Sequence, residues 1–403
     1  MAALNRDAVA SLEFNISWKS DIGKHEEQYY AQKVNFWRDV LPVEADDLLS
    51  ESRGGAGIKL SFSGEDRPAY GHNKVIRLRR EQFECPKIDH HVVRPRVGRF
   101  YPRGLLKGVD NVFSGNAEPF RIAEAEASSL LADLNHPFTA RPFDLSVSAR
   151  NVRKKAFEIG GAMTDWLGVV TQGPGMQVRW EDKPTDFFSD DPFVRTDEND
   201  DRRFYEKPRF VTHLDDQALE HIKSLYGTLL RPGMNVLDLM SSWRSHVPES
   251  LRLDSFVGLG LNEKEMRNNP QLTSIAAHDL NEEPALPFDD KSFDAIVCTA
   301  SVEYLTRPFE VFAECARILK PGGVFVHTFS NRWFPPKVVR IWTELSEFER
   351  MGLVLEYFLR TGRYESLETR SIRGWPRPVS DQYYPRVRIS DPVYAVFGRR
   401  SAG

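Results

Sequence analysis

The chain has 403 residues, 41% of them hydrophobic and 28% charged, a composition typical of a globular protein with two or three domains. Its formal net charge of −4 provides no global field that recruits nucleic acid, and no apolar run reaches the roughly 18–20 residues of a membrane span. Three scattered cysteines exclude a disulfide framework or zinc site, and the N-terminus lacks an apolar signal core, so we expect a cytoplasmic protein with no membrane or nucleic-acid partner.

Short extended segments separated by turn residues dominate the first 180 residues. Ser11–Trp18 alternates apolar and polar side chains, as a half-buried strand does. Gln32–Val40 predicts a short helix, whereas Val75–Leu78 and Phe143–Val152 predict further strands. Residues 1–180 are therefore expected to form a β-rich domain.

The composition shifts at residues 181–201, where nine of the 21 residues are Asp or Glu and two are basic. Such a stretch buries little surface and repels itself, so it predicts a solvated acidic linker. Phe187, Phe188 and Phe193 leave open the alternative that the segment docks on a neighbouring surface.

Strand and helix patterns alternate in residues 202–403. A helix is predicted at Asp215–Leu230. The predicted strands are Asn235–Leu239, Ser255–Leu259, Phe293–Val297 and Val324–Phe329. Strands that recur with helices between them predict βαβ units and a parallel sheet. Because crossovers are right-handed, the loops after the strands share one edge, where open α/β sheets bind their ligands.

The motifs in this half form a specific set. A strand ending in Asp238 precedes HDLN (His278–Asn281), LPF (Leu286–Phe288), SFDAIVCTASVEYL (Ser292–Leu305) and RILKPGG (Arg317–Gly323). This order resembles the class I S-adenosylmethionine-dependent methyltransferases, in particular their type 11 group, over about residues 215–400. The resemblance implies an α/β fold with a Rossmann-like, mostly parallel sheet. It also implies S-adenosylmethionine as methyl donor. No metal-ligand spacing in the sequence indicates a metal-dependent mechanism, so we expect no metal.

The resemblance further implies a cofactor site after the strands. Asp238 matches the acid that closes the first strand, and Asp279 matches the position that contacts adenine. The full set of implied cofactor-binding residues is Asp238, Leu239, Met240, Ser241, Ser242, Gly260, Leu261, Asn262, Asp279, Leu280, Thr299, Ala300 and Ser301. Purely structural roles stay open, since Asp238 could cap a helix and residues 279–281 could form only a turn.

Two positions depart from the family pattern. Met240-Ser241-Ser242-Trp243 stands where the family has a glycine-rich loop, and without glycine the loop must follow another path. The acid that clamps the ribose falls at Gly260, so we expect Asn262 to take its place. These departures motivate an alternative, a non-catalytic binding protein whose methyltransferase fold has lost its cofactor.

Methyl transfer from a sulfonium needs an aligned acceptor and the exclusion of water. The candidate catalytic residues, all placed by topology near the expected methyl group, are His246, Glu303, Tyr304 and Arg332. A thiol has a pKa of about 8.5, which nearby cations lower, so this set suits a small thiol acceptor. We therefore expect S-methylation of a small molecule, while packing roles for each candidate residue stay open.

Two segments of the N-terminal half resemble FKBP-type prolyl isomerases. Gly57–Gly71 is similar to the strand that runs into Ala-Tyr-Gly in that family, and Leu130–Val152 resembles the Asn-His-Pro segment of SlyD-like members. Residues 72–129 would replace their inserted flap. Leu145 falls where the final strand would present a ring, so the resemblance implies a binding or architectural domain more than an active isomerase. An unrelated β-rich domain stays open.

Together the patterns predict two domains joined by the acidic linker. The N-terminal domain is expected to cover part of the site, to bind the acceptor or to mediate association, including homo-oligomerisation. The alternative among enzymes is a polypeptide acceptor presented by the FKBP-like module.

Overall fold

The computed structural model describes residues 8–402, except 45–46, 48–56, 64–69, 89–90, 140, 156 and 158–159. Its strands are β1 (Ala8–Ser20), β2 (Gly23–Asn35), β3 (Ile58–Phe62), β4 (Val75–Arg79), β5 (Lys87–Ile88), β6 (His91–Val92), β7 (Phe100–Pro102), β8 (Pro119–Ala125), β9 (Ser129–Asp133), β10 (Phe143–Lys154), β11 (Asn235–Leu239), β12 (Ser255–Gly260), β13 (Ser274–Ala277), β14 (Phe293–Thr299), β15 (Leu319–Phe329), β16 (Tyr364–Arg373) and β17 (Val393–Arg400). Its α-helices are α1 (Trp166–Thr171), α2 (Asp201–Tyr205), α3 (Asp216–Leu229), α4 (Glu263–Arg267), α5 (Pro308–Ile318), α6 (Arg340–Glu344) and α7 (Glu347–Thr361). Short 3₁₀ helices lie at His72–Lys74, Arg80–Gln82, Arg103–Leu105 and Val302–Tyr304.

One eleven-stranded mixed sheet runs through both halves, in the order β13-β12-β11-β14-β15-β17-β16-β2-β1-β10-β3. The first five strands of this order pair in parallel, and β17 pairs antiparallel to β15. The chain moves outward from β11 to β12 and β13, then returns to the other side of β11 as β14. The reversal leaves a crevice at the carboxyl ends of β11, β12 and β14, where ligands of open α/β sheets bind.

The long helices pack on the faces of this sheet. Helix α3 fills the interval predicted at 215–230, and Asp215 caps it by accepting a hydrogen bond from the Ala218 amide at 3.1 Å. Its apolar face, which includes Ile222 and Tyr226, is buried against β11 and β17. Helix α7 begins with a capping box at Ser346 and Glu349 and is buried along most of its length. No helix in the part of the chain that the structure describes is long and apolar enough to cross a membrane.

The N-terminal half extends the sheet through β2, which pairs in parallel with β16 from Gly23↔Leu367 to Tyr29↔Arg373. Strands β1, β10 and β3 follow in antiparallel order. Strands β4, β9, β8 and β7 form a separate antiparallel sheet. The FKBP-like resemblance stays a prediction.

The helix predicted at Gln32–Val40 is wrong. Strand β2 continues to Asn35, and a turn follows it. The β pairing prevails because it places Val34 opposite Ala10. It also buries Val34 and Phe36 in the hydrophobic core that includes side chains of β1 and β10. Apolar spacing in a stretch this short fits either kind of element.

The acidic segment at residues 181–201 packs on the C-terminal half. Phe187 is 3% exposed in the main core, and Phe188 and Phe193 contact the rings of Phe309 and Tyr357. The alternative in which these phenylalanines dock therefore describes the segment better than a solvated spacer. The boundaries at 1–180, 181–201 and 202–403 stay a prediction.

Candidate functional site

A cavity of about 190 Å³ lies at the reversal in strand order, next to the ends of β11, β12 and β14. The structure brings nearly all of the predicted site residues together there. Those that line it are Asp238, Met240, Ser241, Ser242, His246, Gly260, Leu261, Asn262, Asp279, Leu280, Thr299, Ala300, Ser301 and Tyr304.

The loop after β11 achieves a left-handed turn without glycine. Met240 has φ +57°, which costs of order 1–2 kcal/mol for a residue with a Cβ. Local hydrogen bonds hold the turn: the Ser241 amide donates to Leu259 O at 2.7 Å, and the Ser241 and Ser245 hydroxyls donate to Asp238 Oδ2 at 2.6 Å. Burial raises the pKa of Asp238 to about 6 in spite of these hydrogen bonds. The Ser241 and Ser245 hydroxyls therefore hold the glycine-free loop in place through their hydrogen bonds to the Asp238 carboxylate.

The end of β12 has no room for a side chain at Gly260. A Cβ there would lie 2.4 Å from Ser241 O, so the Ser241 loop fills the space that an acid would take. Asn262 does not leave its amide free for a ribose. Its Nδ2 donates to Tyr205 O at 2.7 Å, and its Oδ1 caps α4 by accepting from the Glu265 amide. The cavity wall instead includes the Glu265 carboxylate, which accepts from the Ser242 hydroxyl and the Arg209 amide, both at 2.6 Å.

The HDLN motif forms a polar turn at the side of the cavity. Asp279 Oδ1 accepts from the amides of Asn281 and Glu282 at 3.0 and 3.3 Å. The Asn281 side chain donates to Asp201 Oδ2 at 2.9 Å and to Tyr304 O at 3.0 Å. The turn therefore exists as the structural alternative proposed, and it also brings Asp279 and Leu280 to the cavity wall.

Residues 195–214 form a wall that the sequence patterns did not predict. Asp201 receives hydrogen bonds from Arg195 Nη1 at 2.7 and 2.8 Å, and it forms an ion pair with Lys337 Nζ at 3.0 Å. Burial would raise the pKa of Asp201, but hydrogen bonds from Asn281, Arg195 and Lys337 lower it overall. The acidic composition of residues 181–201 predicted a solvated segment. It could not show that Lys337, which is distant in sequence, would join Arg195 in neutralising Asp201.

Neutral side chains form much of the remaining wall. Tyr304 accepts a hydrogen bond from the Phe334 amide at 2.8 Å through its hydroxyl, and burial raises its pKa. Burial, with a smaller contribution from Arg244, lowers the pKa of His246 to about 4. Its imidazole is thus uncharged near pH 7, and it is a weak base. Thr299 bonds to the Tyr226 hydroxyl at 2.6 Å, and Ala300 adopts a left-handed φ of +48°.

Leu239, Glu303 and Arg332 do not line the cavity, which corrects their predicted placement. The Leu239 side chain is fully buried in the main core, because alternate residues of a strand face opposite sides. Glu303 is 1% exposed in the 3₁₀ turn after β14, and burial raises its pKa to about 8. Arg332 pairs with Asp391 at 2.8 Å and lies over the Tyr383 ring.

The N-terminal half does not cover the cavity, contrary to expectation. Among the described residues of 8–180, none lies in its wall. The reason is topological, since β2 joins the sheet at β16, on the far side of β15 and β17 from the crevice.

Comparison with known proteins gives a match that includes β12 and β14, two of the three strands beside the cavity. Residues 254–327 match the family model described as a methyltransferase domain. The C-terminal half therefore contains a methyltransferase domain, matched over residues 254–327. Members of this family use S-adenosylmethionine as methyl donor.

Curated relatives of the methyltransferase domain include two bacterial enzymes. The chain is 30% identical over 153 residues to a demethylmenaquinone methyltransferase of Renibacterium salmoninarum, which covers 36% of this chain and 61% of the relative. It is 36% identical over 87 residues to a fatty-acid O-methyltransferase of Mycolicibacterium smegmatis, which covers 21% and 31%. The chain thus spans less than two thirds of each relative.

Solved structures match slightly less than half of the chain. An S-adenosylmethionine-dependent methyltransferase from Mesorhizobium loti has a TM-score of 0.31 and 18% identity, covering 46% of this chain and 99% of that one. The YcgJ protein of Bacillus subtilis has a TM-score of 0.34 and 16% identity, covering 46% and 99%.

The residues of the methyltransferase domain fit the chemistry of S-adenosylmethionine. Its cationic groups match the carboxylates of Asp238 and Glu265, and its adenine matches a wall with Asp279, Leu261 and Leu280. Gly260 has no side chain, and the Ser241 loop therefore packs directly against the end of β12 at the cavity. No group of three or more metal-ligand side chains occurs among the residues that the structure describes.

Proposed function

We propose that the methyltransferase domain binds S-adenosylmethionine in this cavity and transfers its methyl group to a small acceptor held in the same space. The observation that carries the proposal is the convergence of Asp238, Gly260 and Asp279 at the reversal in strand order, within the fold of a methyltransferase domain. When bound, S-adenosylmethionine supplies a methyl group activated by a sulfonium.

The residues of the chain bind, orient and exclude water in this proposal. Asp279 and Leu280 hold the adenine side, and the loop of Met240, Ser241 and Ser242 surrounds the amino-acid side. Tyr304 and Phe334, joined by a hydrogen bond, close part of the cavity to solvent. Excluding water strengthens the interactions that align donor and acceptor.

We propose a small thiol as the first acceptor to test. Arg209 and Arg244 lie in the cavity wall, and cations favour a thiolate over a thiol. His246 is uncharged near pH 7 but too weak a base to deprotonate an alcohol, which argues for an acceptor that ionises readily. The names of the two curated relatives describe a quinone and a fatty acid as acceptors, so both classes belong in the same panel.

The experiment is a transfer assay with S-adenosylmethionine labelled in its methyl group. Small thiols, medium-chain fatty acids, reduced quinones, amines and a peptide library are offered separately to the full-length protein. Label in a small acceptor supports the proposal, and label in thiols alone supports S-methylation. Label in peptides alone contradicts a small acceptor, and binding of the donor without any transfer favours a non-catalytic protein.

A further inference from the structure

Arg209 is a cation of the cavity wall whose charge the protein leaves without a carboxylate partner. Of the other three cations of the wall, Arg195 pairs with Asp201 at 2.7 Å and Lys337 pairs with Asp201 at 3.0 Å. The third, Arg244, is exposed and lies over the Trp243 ring at 5.8 Å, so Arg209 is the less exposed of the two wall arginines without a carboxylate partner among the described residues. The Arg209 guanidinium has no Asp or Glu oxygen within 4.0 Å among the residues that the structure describes. Only its backbone amide contacts a carboxylate, that of Glu265.

Aromatic rings, in place of acids, surround this guanidinium. Its Cζ lies 4.3 Å from the centre of the Phe204 ring, 4.9 Å from that of Phe334 and 5.7 Å from that of Tyr205. Rings attract a cation but do not neutralise it, and they shield it from water. Nη2 donates to Phe204 O at 3.2 Å, whereas Nη1 is buried and has no hydrogen-bond partner among the described residues.

The charge of Arg209 acts on the interior of the cavity. It adds to the effect of burial in lowering the pKa of His213, and it opposes the effect of burial on the pKa of Tyr205 and Tyr304. All three side chains line the cavity. A partly buried cation with an unpaired N–H group is stabilised when an anionic group of a ligand binds to it.

We propose that Arg209 binds a carboxylate group of a ligand in this cavity. A singly charged carboxylate fits better than a phosphate, because Asp238, Glu265 and Asp279 already line the same cavity and would repel a second negative charge. The carboxylate belongs either to the amino-acid end of S-adenosylmethionine or to the acceptor. The first source rests on the proposed function, and the second does not require methyl transfer.

The test compares ligands that differ only in this group, in the full-length protein and its Arg209→Met and Arg209→Gln variants. For the cofactor arm, the dissociation constants of S-adenosylmethionine and of its decarboxylated analogue are measured. The wild-type protein is expected to prefer the carboxylated ligand at least tenfold, and Arg209→Met to abolish the preference. For the acceptor arm, decanoate and decanol are titrated into protein saturated with S-adenosylhomocysteine. A tenfold or larger loss for decanoate alone then assigns the carboxylate to the acceptor.

Controls separate this inference from folding and from the proposed function. Adenosine lacks the carboxylate, so the Arg209→Met variant should bind it with the same affinity as the wild type. If the Arg209→Met variant does not fold, the Arg209→Gln variant is compared with the wild type instead. Arg203→Met replaces an exposed arginine of the same segment and should change neither preference. Unchanged preferences in both arms overturn the inference. A wild-type protein that binds no adenosine contradicts the proposed function, and the decanoate arm, run on the protein alone, then decides the inference.

Discussion

Single residues in this protein place ionisable groups where contact with water is limited. Asp238 uses its carboxylate to fix a glycine-free loop, and Arg209 keeps a cation among aromatic rings. Glu303 is the clearest case, since it is 1% exposed and its Oε2 has no hydrogen-bond partner within the described part of the chain. Because it is buried and does not line the cavity, Glu303 is a structural acid, and the fold favours its protonated form.

Glu303 should make the stability of the protein depend on pH. Burial raises the pKa of its carboxyl from 4.5 to about 8, so the folded state holds more protons than the unfolded state between these values. Stability from this group is therefore present below about pH 4.5 and is lost as the pH rises towards 8, by at most about 1.4 kcal/mol per pH unit. We expect Glu303→Gln to flatten this slope in unfolding free energies measured from pH 5 to 8.5.

The control is Glu310→Gln, which replaces an exposed glutamate of the neighbouring α5. Parallel curves for wild type and Glu303→Gln would show that the carboxyl is ionised without penalty.

Much of the site was predictable at the level of residues, and its departures have physical causes. Asp238 and Thr299 reach the cavity because they lie at the carboxyl ends of β11 and β14, and Asp279 reaches it because it follows β13; parallel strands end at one edge of the sheet. Asn262 was expected to contact the ribose, but its side chain caps α4 instead, because a residue that follows a strand can equally cap the next helix. Arg209 and Glu265 were missed because they lie outside the motifs, and their meeting depends on the path of residues 195–214.

At the scale of elements, α7 ties the two halves together through buried ion pairs. Glu349, 2% exposed, accepts a hydrogen bond from the Phe100 amide at 2.8 Å and caps its own helix. Arg99 lies between Glu344 at 3.3 Å and Glu349 at 3.5 Å. Breaking a buried pair by removing one partner leaves an uncompensated charge.

Glu349→Ala should destabilise the protein by about 3–5 kcal/mol. It removes a helix cap, leaves the Phe100 amide without its acceptor and deprives the buried charge of Arg99 of one of its two carboxylate partners. Denaturant unfolding measures this loss. Glu310→Ala, which breaks an exposed pair with Arg307 on α5, should change the free energy of unfolding by less than about 1 kcal/mol. Similar small effects for both variants would mean that the Arg99 cluster does not hold the halves together.

The regular elements of the C-terminal half followed from sequence patterns, whereas the joining of the halves did not. Helix α3 and strands β11, β12, β14 and β15 lie where periodicity and turn residues placed them. The pairing of β2 with β16 joins residues more than 340 positions apart, and neither strand carries a signal for its partner. The capture of Phe187 by the main core depends on the same tertiary arrangement.

The whole molecule is organised by one sheet that crosses both halves. Edge pairing of β2 on β16 is reinforced by buried side chains: His25 bonds to Thr369 at 2.7 Å, and Glu27 bonds to Ser371. Removing the N-terminal half would expose the edge of β16 together with these polar groups. An open, partly apolar edge strand favours aggregation.

A chain that begins at residue 202 should therefore lose solubility and cooperative unfolding, even though it retains every strand of the methyltransferase domain. Phe187 and the Arg195–Asp201 pair would be lost with it. Size-exclusion chromatography and thermal unfolding of this truncated chain and the full chain measure the difference. A monomeric truncated chain with an unchanged melting temperature would contradict this account and favour two separable domains.

The most direct test of the cofactor site is calorimetric titration of the full-length protein with S-adenosylmethionine and S-adenosylhomocysteine. Asp279→Ala removes a carboxylate from the cavity wall, and Glu282→Ala removes an exposed one from the same turn. We predict micromolar binding by the wild type, at least a tenfold loss in Asp279→Ala and no loss in Glu282→Ala. Failure of the wild-type protein to bind either ligand would contradict the assignment of this cavity as a methyl-donor site.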